Sequence, residues 1–302
     1  MIIKKIQLKF KSGYLTPLES DTILWYIFAK NFLELESVFN KYKQWDIPFK
    51  ISNGFINWNI SRPIIFGDNK HDKSSLLADL IIEKDKKLLK SLSYVPLKKE
   101  ILKAIFEDQD KIPDILKTMN ESNVEIECLS SEMKNSIPRF NQWETTPFVV
   151  NDIRYSTSEY NIYVKIYDEK DFSKFFELMQ KTLLALWRWK WVSRWYGKVS
   201  TCELKDLTDQ ESEAFKYLEQ LKSKNQIVVL NNYKPDNAEI ENINLEKSYL
   251  QFINKNTKTK ERNVFKWNMK FIAPGSVLYV KDWELKGSYY QVWTSFNFWY
   301  IF

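Results

Sequence analysis

Tyr160-Asn-Ile-Tyr-Val-Lys-Ile-Tyr167 runs into Asp168-Glu-Lys-Asp171, and then Phe172, Phe175, Phe176, Met179, Leu183, Leu184 and Leu186 follow at three- and four-residue steps. The first eight residues alternate as a β-strand does, the charged tetrapeptide makes the turn, and the later spacing is that of one helix face. A further strand is predicted over about 197–204. Strand, helix and strand thus succeed one another through short connections.

The chain opens in the same way. Ile2, Ile6, Leu8 and Phe10 fall on one face at period two, giving a half-buried strand that ends at Lys11-Ser-Gly13. Thr16-Pro-Leu-Glu19 and Ser20-Asp-Thr22 offer N-cap side chains, and Ile23, Leu24, Ile27, Phe28, Leu35, Val38 and Phe39 predict one helix to about Lys43. Residues 46–66, broken by Pro48, Gly54 and Pro63, read as strands and turns. Farther on, Thr208-Asp-Gln-Glu211 is a capping-box signature for a helix over about 208–224, and 227–230, 248–253 and 276–280 read as strands. Neither half has the long apolar runs of a parallel sheet. The expected fold is therefore α+β, with two ferredoxin-like (RRM-like) domains carrying inserted loops. The expected division is 1–150, with a Lys-rich insertion over about 76–120, and 151–302, with a Gly/Trp-rich loop at 186–199.

The 302 residues are 44% hydrophobic and 28% charged, enough apolar material for a core, and no apolar run reaches the 18 residues that would cross a bilayer. The alternating N-terminus lacks the apolar region of a secretory signal, so a cytoplasmic location is expected. Cys128 and Cys202 stand far apart with no Cys-x-x-Cys pair, which predicts buried thiols and no metal site. No Walker loop or Rossmann fingerprint is present, and no cofactor is expected. His71, in Asn69-Lys-His-Asp-Lys73, is the sole imidazole. A net charge of +6 suits an RNA partner without demanding one.

Glycine occurs 6 times and tryptophan 12 times, where average usage would give about 20 and roughly 3 to 4. Leu186-Trp-Arg-Trp-Lys-Trp-Val-Ser-Arg-Trp-Tyr-Gly-Lys198 follows a helix directly, where glycine ordinarily ends the helix and permits left-handed backbone. One reading is that many tryptophan positions are a reassigned stop codon, read as glycine in some lineages and as tryptophan in others. The other is that the aromatics are genuine and stack on RNA bases.

Leu18-Glu-Ser-Asp-Thr-Ile-Leu-Trp25 resembles the Ser-Asp-Thr-Leu-Phe-Gly opening of the first helix in the fourth subunit of the Csm family, with Trp25 in place of its Gly. The likeness continues, in the family's order, through Pro48-Phe-Lys-Ile-Ser-Asn-Gly-Phe55, Arg62-Pro63, Lys87-Leu-Leu-Lys-Ser-Leu-Ser-Tyr-Val-Pro-Leu97, Asn135-Ser-Ile-Pro-Arg139 and Glu144-Thr-Thr-Pro-Phe148. The 186–199 segment is similar to that family's glycine-rich loop: Trp187, Trp189 and Trp195 stand at glycine positions, Ser193 and Gly197 are retained, and Lys198 keeps a basic place. Ala273-Pro-Gly-Ser-Val277 and Phe298-Trp-Tyr300 match its C-terminal motifs. Trp191 and Val192 replace a paired Lys-Arg, and basic charge sits instead at Arg188, Lys190 and Arg194.

The resemblance, to the Cas5-type RAMP subunit of the type III-A CRISPR effector, implies a chain without a catalytic centre. That chain would hold the 5′ repeat-derived handle of the guide RNA (crRNA) and contact the large Cas10-type signalling subunit and the Cas7-type backbone subunits, with no membrane partner. Arg188, Lys190, Arg194 and Lys198 are the leading phosphate contacts, beside Ser193 and Gly197, because backbone amides in a glycine-rich turn approach phosphates closely and cations add charge-assisted bonds. A solvated basic turn is the plainer account. Ser20, Asp21 and Thr22 could meet RNA at a helix N-terminus or simply cap it. Arg139 and Arg154 flank an extended arm where RNA or a neighbour would pass, or form surface ion pairs. Two rival functions are a guide-processing endoribonuclease using His71 and an assembly subunit that touches only protein.

Overall fold

The computed structural model describes residues 2–11, 18–44, 46–57, 59–64, 94–107, 111, 128–136, 146–155, 159–185, 198–235, 237–255, 269–281, 287–292 and 295–300. Its strands are β1 (Ile2–Phe10), β2 (Phe49–Ile56), β3 (Asn59–Ser61), β4 (Tyr94–Pro96), β5 (Cys128–Ser136), β6 (Thr146–Tyr155), β7 (Tyr160–Ile166), β8 (Val199–Asp206), β9 (Gln226–Val228), β10 (Phe252–Lys255), β11 (Met269–Ile272), β12 (Val277–Tyr279), β13 (Gly287–Val292) and β14 (Ser295–Tyr300). The helices are α1 (Ser20–Lys30), α2 (Phe32–Lys43), α3 (Lys99–Phe106), α4 (Glu169–Ala185), α5 (Asp209–Lys222) and α6 (Asn237–Asn242). Helices and antiparallel sheets mix in one chain, an α+β architecture.

The main sheet has the order β2-β7-β1-β8, antiparallel throughout. Read along the chain, β1, then α1 with α2, then β2, and later β7, α4 and β8, give the β-α-β-β-α-β order of a ferredoxin-like unit. Everything between β2 and β7 is inserted into it. The expected division at residue 150 does not coincide with this sheet, since Ile6 of β1 pairs with Ile162 of β7 and Leu204 of β8. Among the described residues the remaining strands form two-stranded pieces, β3-β4, β5-β6, β9-β12, β10-β11 and β13-β14.

Both faces of the main sheet carry helices. Ile6, Leu8, Ile162, Val164 and Cys202 pack under α1, α2 and α4 with Phe28, Phe39, Phe172, Phe175 and Met179. On the other face Tyr163 and Phe55 pack under α3 and α5 with Leu102, Ile105, Phe215 and Leu221. β7 is consequently buried at every position, and its alternation marks two covered faces. Cys202 is a free buried thiol whose pKa is pushed up to about 12, mainly by burial.

The helix predicted to run unbroken to Lys43 is two helices. Asn31 leaves helical geometry at φ −124° and ψ 40°. Its side-chain amide donates to the Ile27 carbonyl and to the Thr182 hydroxyl, both at 2.9 Å, which fixes the corner against α4. The capping box on α5 forms as the sequence predicts.

After α2, the Asp46 N–H donates to the Lys41 carbonyl at 3.1 Å, and in the C-terminal hairpin Val292 pairs with Ser295. Trp45 and Trp293, beside these bonds in sequence, lie outside the described residues. On the reassigned-codon reading, protein isolated from its own organism is expected to show, by intact-mass spectrometry, glycine in place of tryptophan. A mass with twelve tryptophans rejects the codon reading.

Candidate nucleic-acid interface

Antiparallel order brings one edge of the main sheet together from distant parts of the chain. The end of β1, the start of β8, the start of β7 and the end of β2 all lie there, because neighbouring strands run in opposite directions. α1 begins just after β1, β6 ends just before β7, and the turn after α4 leads into β8. Ser20, Asp21, Thr22, Arg154 and Lys198 therefore emerge at a common edge, although 178 positions separate the first from the last.

Lys198 is half-buried, and its carbonyl accepts from the Lys11 N–H at 2.7 Å. The Ser200 hydroxyl donates to the Lys9 carbonyl at 2.9 Å, and the Gln180 amide ties α4 to β8 by donating to the Cys202 carbonyl at 2.8 Å. The described residues on either side of 186–197 are thus held to the sheet. Arg188, Lys190, Ser193, Arg194 and Gly197 lie outside the described residues, as do Arg139 and His71. Arg154 sits on β6, opposite Leu129 of β5, within an antiparallel pair that runs from Cys128↔Tyr155 to Ser136↔Thr146. The arm expected between Arg139 and Arg154 overlaps the return strand of this pair, and Arg154 lies within β6 rather than beside it.

The start of α1 is built inward. Ser20 and Asp21 are 2% and 8% exposed, and Thr22 is half-buried. No side-chain cap comes from Glu19; the Ser20 N–H is instead bonded at 2.9 Å by the Asn53 side-chain oxygen. A register shift in β2 between Ile51 and Gly54 makes this possible, since a bulge re-aims a side chain. The Ser52 hydroxyl fills the gap in the ladder, accepting from the Tyr163 N–H and donating to the Asn53 carbonyl. The N-cap position is Glu19 rather than Ser20, Asp21 or Thr22, and the bond to the Ser20 N–H is supplied by tertiary structure.

Sequence reasoning missed what surrounds this helix end. Gly54 donates to the Leu18 carbonyl at 2.6 Å, Asn53 to the Leu230 carbonyl, Val229 to the Ser276 carbonyl, Gly275 to the Val229 carbonyl and Ile64 to the Gly275 carbonyl. The separate motifs around Leu18, Gly54, Arg62 and Gly275 thereby become one hydrogen-bonded unit. Gly275 has φ +90°, and a Cβ there would stand 2.4 Å from the Arg62 carbonyl oxygen, so only glycine fits. Asn231 and Asn232, which follow Leu230 directly, are buried too, at 2% and 1% exposed. Their only sequence signal was polar residues directly after an apolar strand. At the opposite edge Lys41 lies between Asp168 at 2.8 Å and Asp171 at 2.6 Å, and hydrogen bonds to these carboxylates raise its pKa. That cation is neutralised within the protein.

Among the described residues no helix is long and apolar enough to cross a membrane, and no group of three or more His, Cys, Asp or Glu could hold a metal ion. No family model matches the chain, and no curated protein does. Solved structures do. A chain of the Csm3-Csm4 subcomplex of the type III-A CRISPR-Cas interference complex is similar with a TM-score of 0.59 at 14% identity, covering 99% of this chain and 98% of that one. Chains of the Csm1-Csm4 cassette with pppApA and with AMPPNP give 0.53 at 14% and 0.52 at 13%, each covering 99% of this chain and 96% of the other.

Proposed function

The fold being Csm4-like, we propose that this chain is a non-catalytic subunit of a type III CRISPR effector complex that binds guide RNA at its 5′ repeat-derived handle. It has two kinds of protein neighbour, a Csm1-like (Cas10-type) large subunit and Csm3-like (Cas7-type) backbone subunits. The observation that carries the reading is the likeness over nearly the whole length of both chains to structures solved as a Csm3-Csm4 subcomplex and as a Csm1-Csm4 cassette. One fold that meets both partners suits a terminal position between the backbone and the large subunit. Two ferredoxin-like units, one of them the main sheet, are part of the same proposal.

Affinity rests on phosphate contacts from Arg188, Lys190, Arg194 and Lys198, helped by Ser193 and Gly197, while Arg139 and Arg154 contact RNA or a neighbour along the hairpin. Thr22 lies at the same edge. Ser20 and Asp21, being buried, act by shaping the start of α1. Replacing Arg188, Lys190, Arg194 and Lys198 together with Ala is expected to deplete guide RNA from the assembled complex and to flatten the salt dependence of binding, with an unaltered melting curve. RNA content equal to that of the unmodified complex would reject the assignment. Repeat RNA is expected to stay intact with the pure chain; cutting that His71→Ala abolishes would make the chain a nuclease instead.

A further inference from the structure

The second face of the main sheet is covered over only half its length. Helix α5 sits over Lys5, Tyr163 and Lys165, all buried. Toward the edge described above the cover stops. On this face Gln7 pairs with Glu203 and Lys9 with Thr201 across β1 and β8, and Lys5 with Lys205. Gln7 and Thr201 are half-buried, while Lys9, Glu203 and Lys205 are exposed. Lys11 continues β1 beyond Lys9 and is exposed too, and its N–H bond to the Lys198 carbonyl sets those two lysines side by side. Among the described residues, the exposed ammonium groups of Lys9, Lys11 and Lys205 and the half-buried Lys198 thus share a strip with Glu203, which is paired with Lys205 at 3.1 Å.

We propose that this uncovered strip is a track for the phosphates of single-stranded RNA, continuing from the turn between α4 and β8. The proposal rests on the RNA-binding reading and extends the contact surface beyond it. Charge on an edge strand ordinarily guards against pairing with another sheet, and that accounts for Glu203 and Lys205 on β8. It does not account for Lys9, because β1 lies between β7 and β8, with Lys9 one residue past the last β7 pair at Leu8. Lys9 and Lys11 are two residues apart at the end of β1, a spacing of roughly 7 Å along an extended chain and a step suited to successive phosphates.

Among the described residues the strip lacks what would read bases. The aromatics of this face, Phe55 and Tyr163, are buried, Tyr163 with its ring 4.9 Å from that of Phe215 beneath α5, so these two rings offer no stacking surface. It also lacks the apolar centre of a protein interface. Contact is therefore electrostatic and indifferent to sequence.

The test uses the full chain and a short fluorescein-labelled single-stranded RNA of mixed sequence, titrated at several salt concentrations. The variant K9A/K11A/K205A is expected to bind more weakly, with the slope of log affinity against log salt smaller by about 2, at about 0.7 for each phosphate no longer neutralised. A uridine homopolymer is expected to respond alike. Each position is exposed, so an unchanged circular dichroism spectrum is expected. If the unmodified chain binds and K9A/K11A/K205A matches it in affinity and slope, the track is rejected while the RNA-binding reading stands. If the unmodified chain and its assembled complex hold no RNA, both fall. Normal RNA affinity with failed assembly onto a partner subunit would assign the strip to protein and overturn the proposal.

Discussion

Glu211→Ala is expected to destabilise the fold by about 3–5 kcal/mol, because it strands a buried cation. Lys5 Nζ lies 2.7 Å from the Glu211 carboxylate, with the two side chains 10% and 2% exposed. Tyr163 donates its hydroxyl to the same carboxylate at 3.1 Å, and burial raises the tyrosine pKa, so the phenol stays a donor. The Thr208 N–H and hydroxyl complete its shell at 2.9 Å each. Removing the carboxylate leaves Lys5 under α5 without its counter-charge and dissolves the capping box. Replacing both partners, Lys5→Met with Glu211→Leu, removes the stranded charge and is expected to recover most of the loss. Urea unfolding measures both, and a Glu211→Ala cost below about 1 kcal/mol would mean that the pair is not buried in solution.

The same residue sets a pH dependence. Burial alone would raise the Glu211 pKa, but bonds from Lys5 and Thr208 and the field of Lys5 outweigh it and hold the carboxyl below its ordinary value. A carboxyl whose pKa is lower in the folded state adds stability above its unfolded pKa and loses it as pH falls through the folded one. The gap between the unmodified protein and Glu211→Ala is therefore expected to be full at neutral pH and to narrow below the carboxylate value of about 4.5.

Phe49→Ala should cost about 3–5 kcal/mol as well, by a different route. Its ring is fully buried, with centroids 5.6 Å from Tyr42, 5.5 Å from Phe172 and 4.7 Å from Phe175. It therefore joins α2 and α4 to the β2 edge of the sheet, and truncation opens a cavity at that junction. Against a total stability of about 5–15 kcal/mol, the loss is large enough to lower the urea midpoint severely. Phe49→Leu keeps most of the apolar volume and is expected to retain most of the stability. Equal midpoints for Phe49→Ala and the unmodified chain would contradict this packing.

Local patterns in the sequence were enough to place β1, β7, α4 and α5, because each carries its own period or cap: Ile6 and Leu8 on one face, Phe172, Phe175 and Met179 on another, Thr208 with Glu211 at a helix start. The break at Asn31 was not legible, since it depends on Thr182 from a distant helix. Nor was the cap on α1, which comes from Asn53 through a bulge. Lys198 was visible as a basic position, yet its common edge with Ser20 and Arg154 was not.

What the sequence determined by itself was the elements that carry their own period or cap, the α+β class and the residue types able to meet phosphate, all consequences of periodicity and side-chain chemistry over short spans. Only tertiary structure decided that β1 and β2 share a sheet with β7 and β8, that Lys5 finds Glu211 across more than two hundred residues, and that Lys9 is left uncovered on an inner strand. Those outcomes depend on which surfaces exclude water when distant segments pack, and such free energy belongs to pairs of surfaces that no local stretch of chain contains.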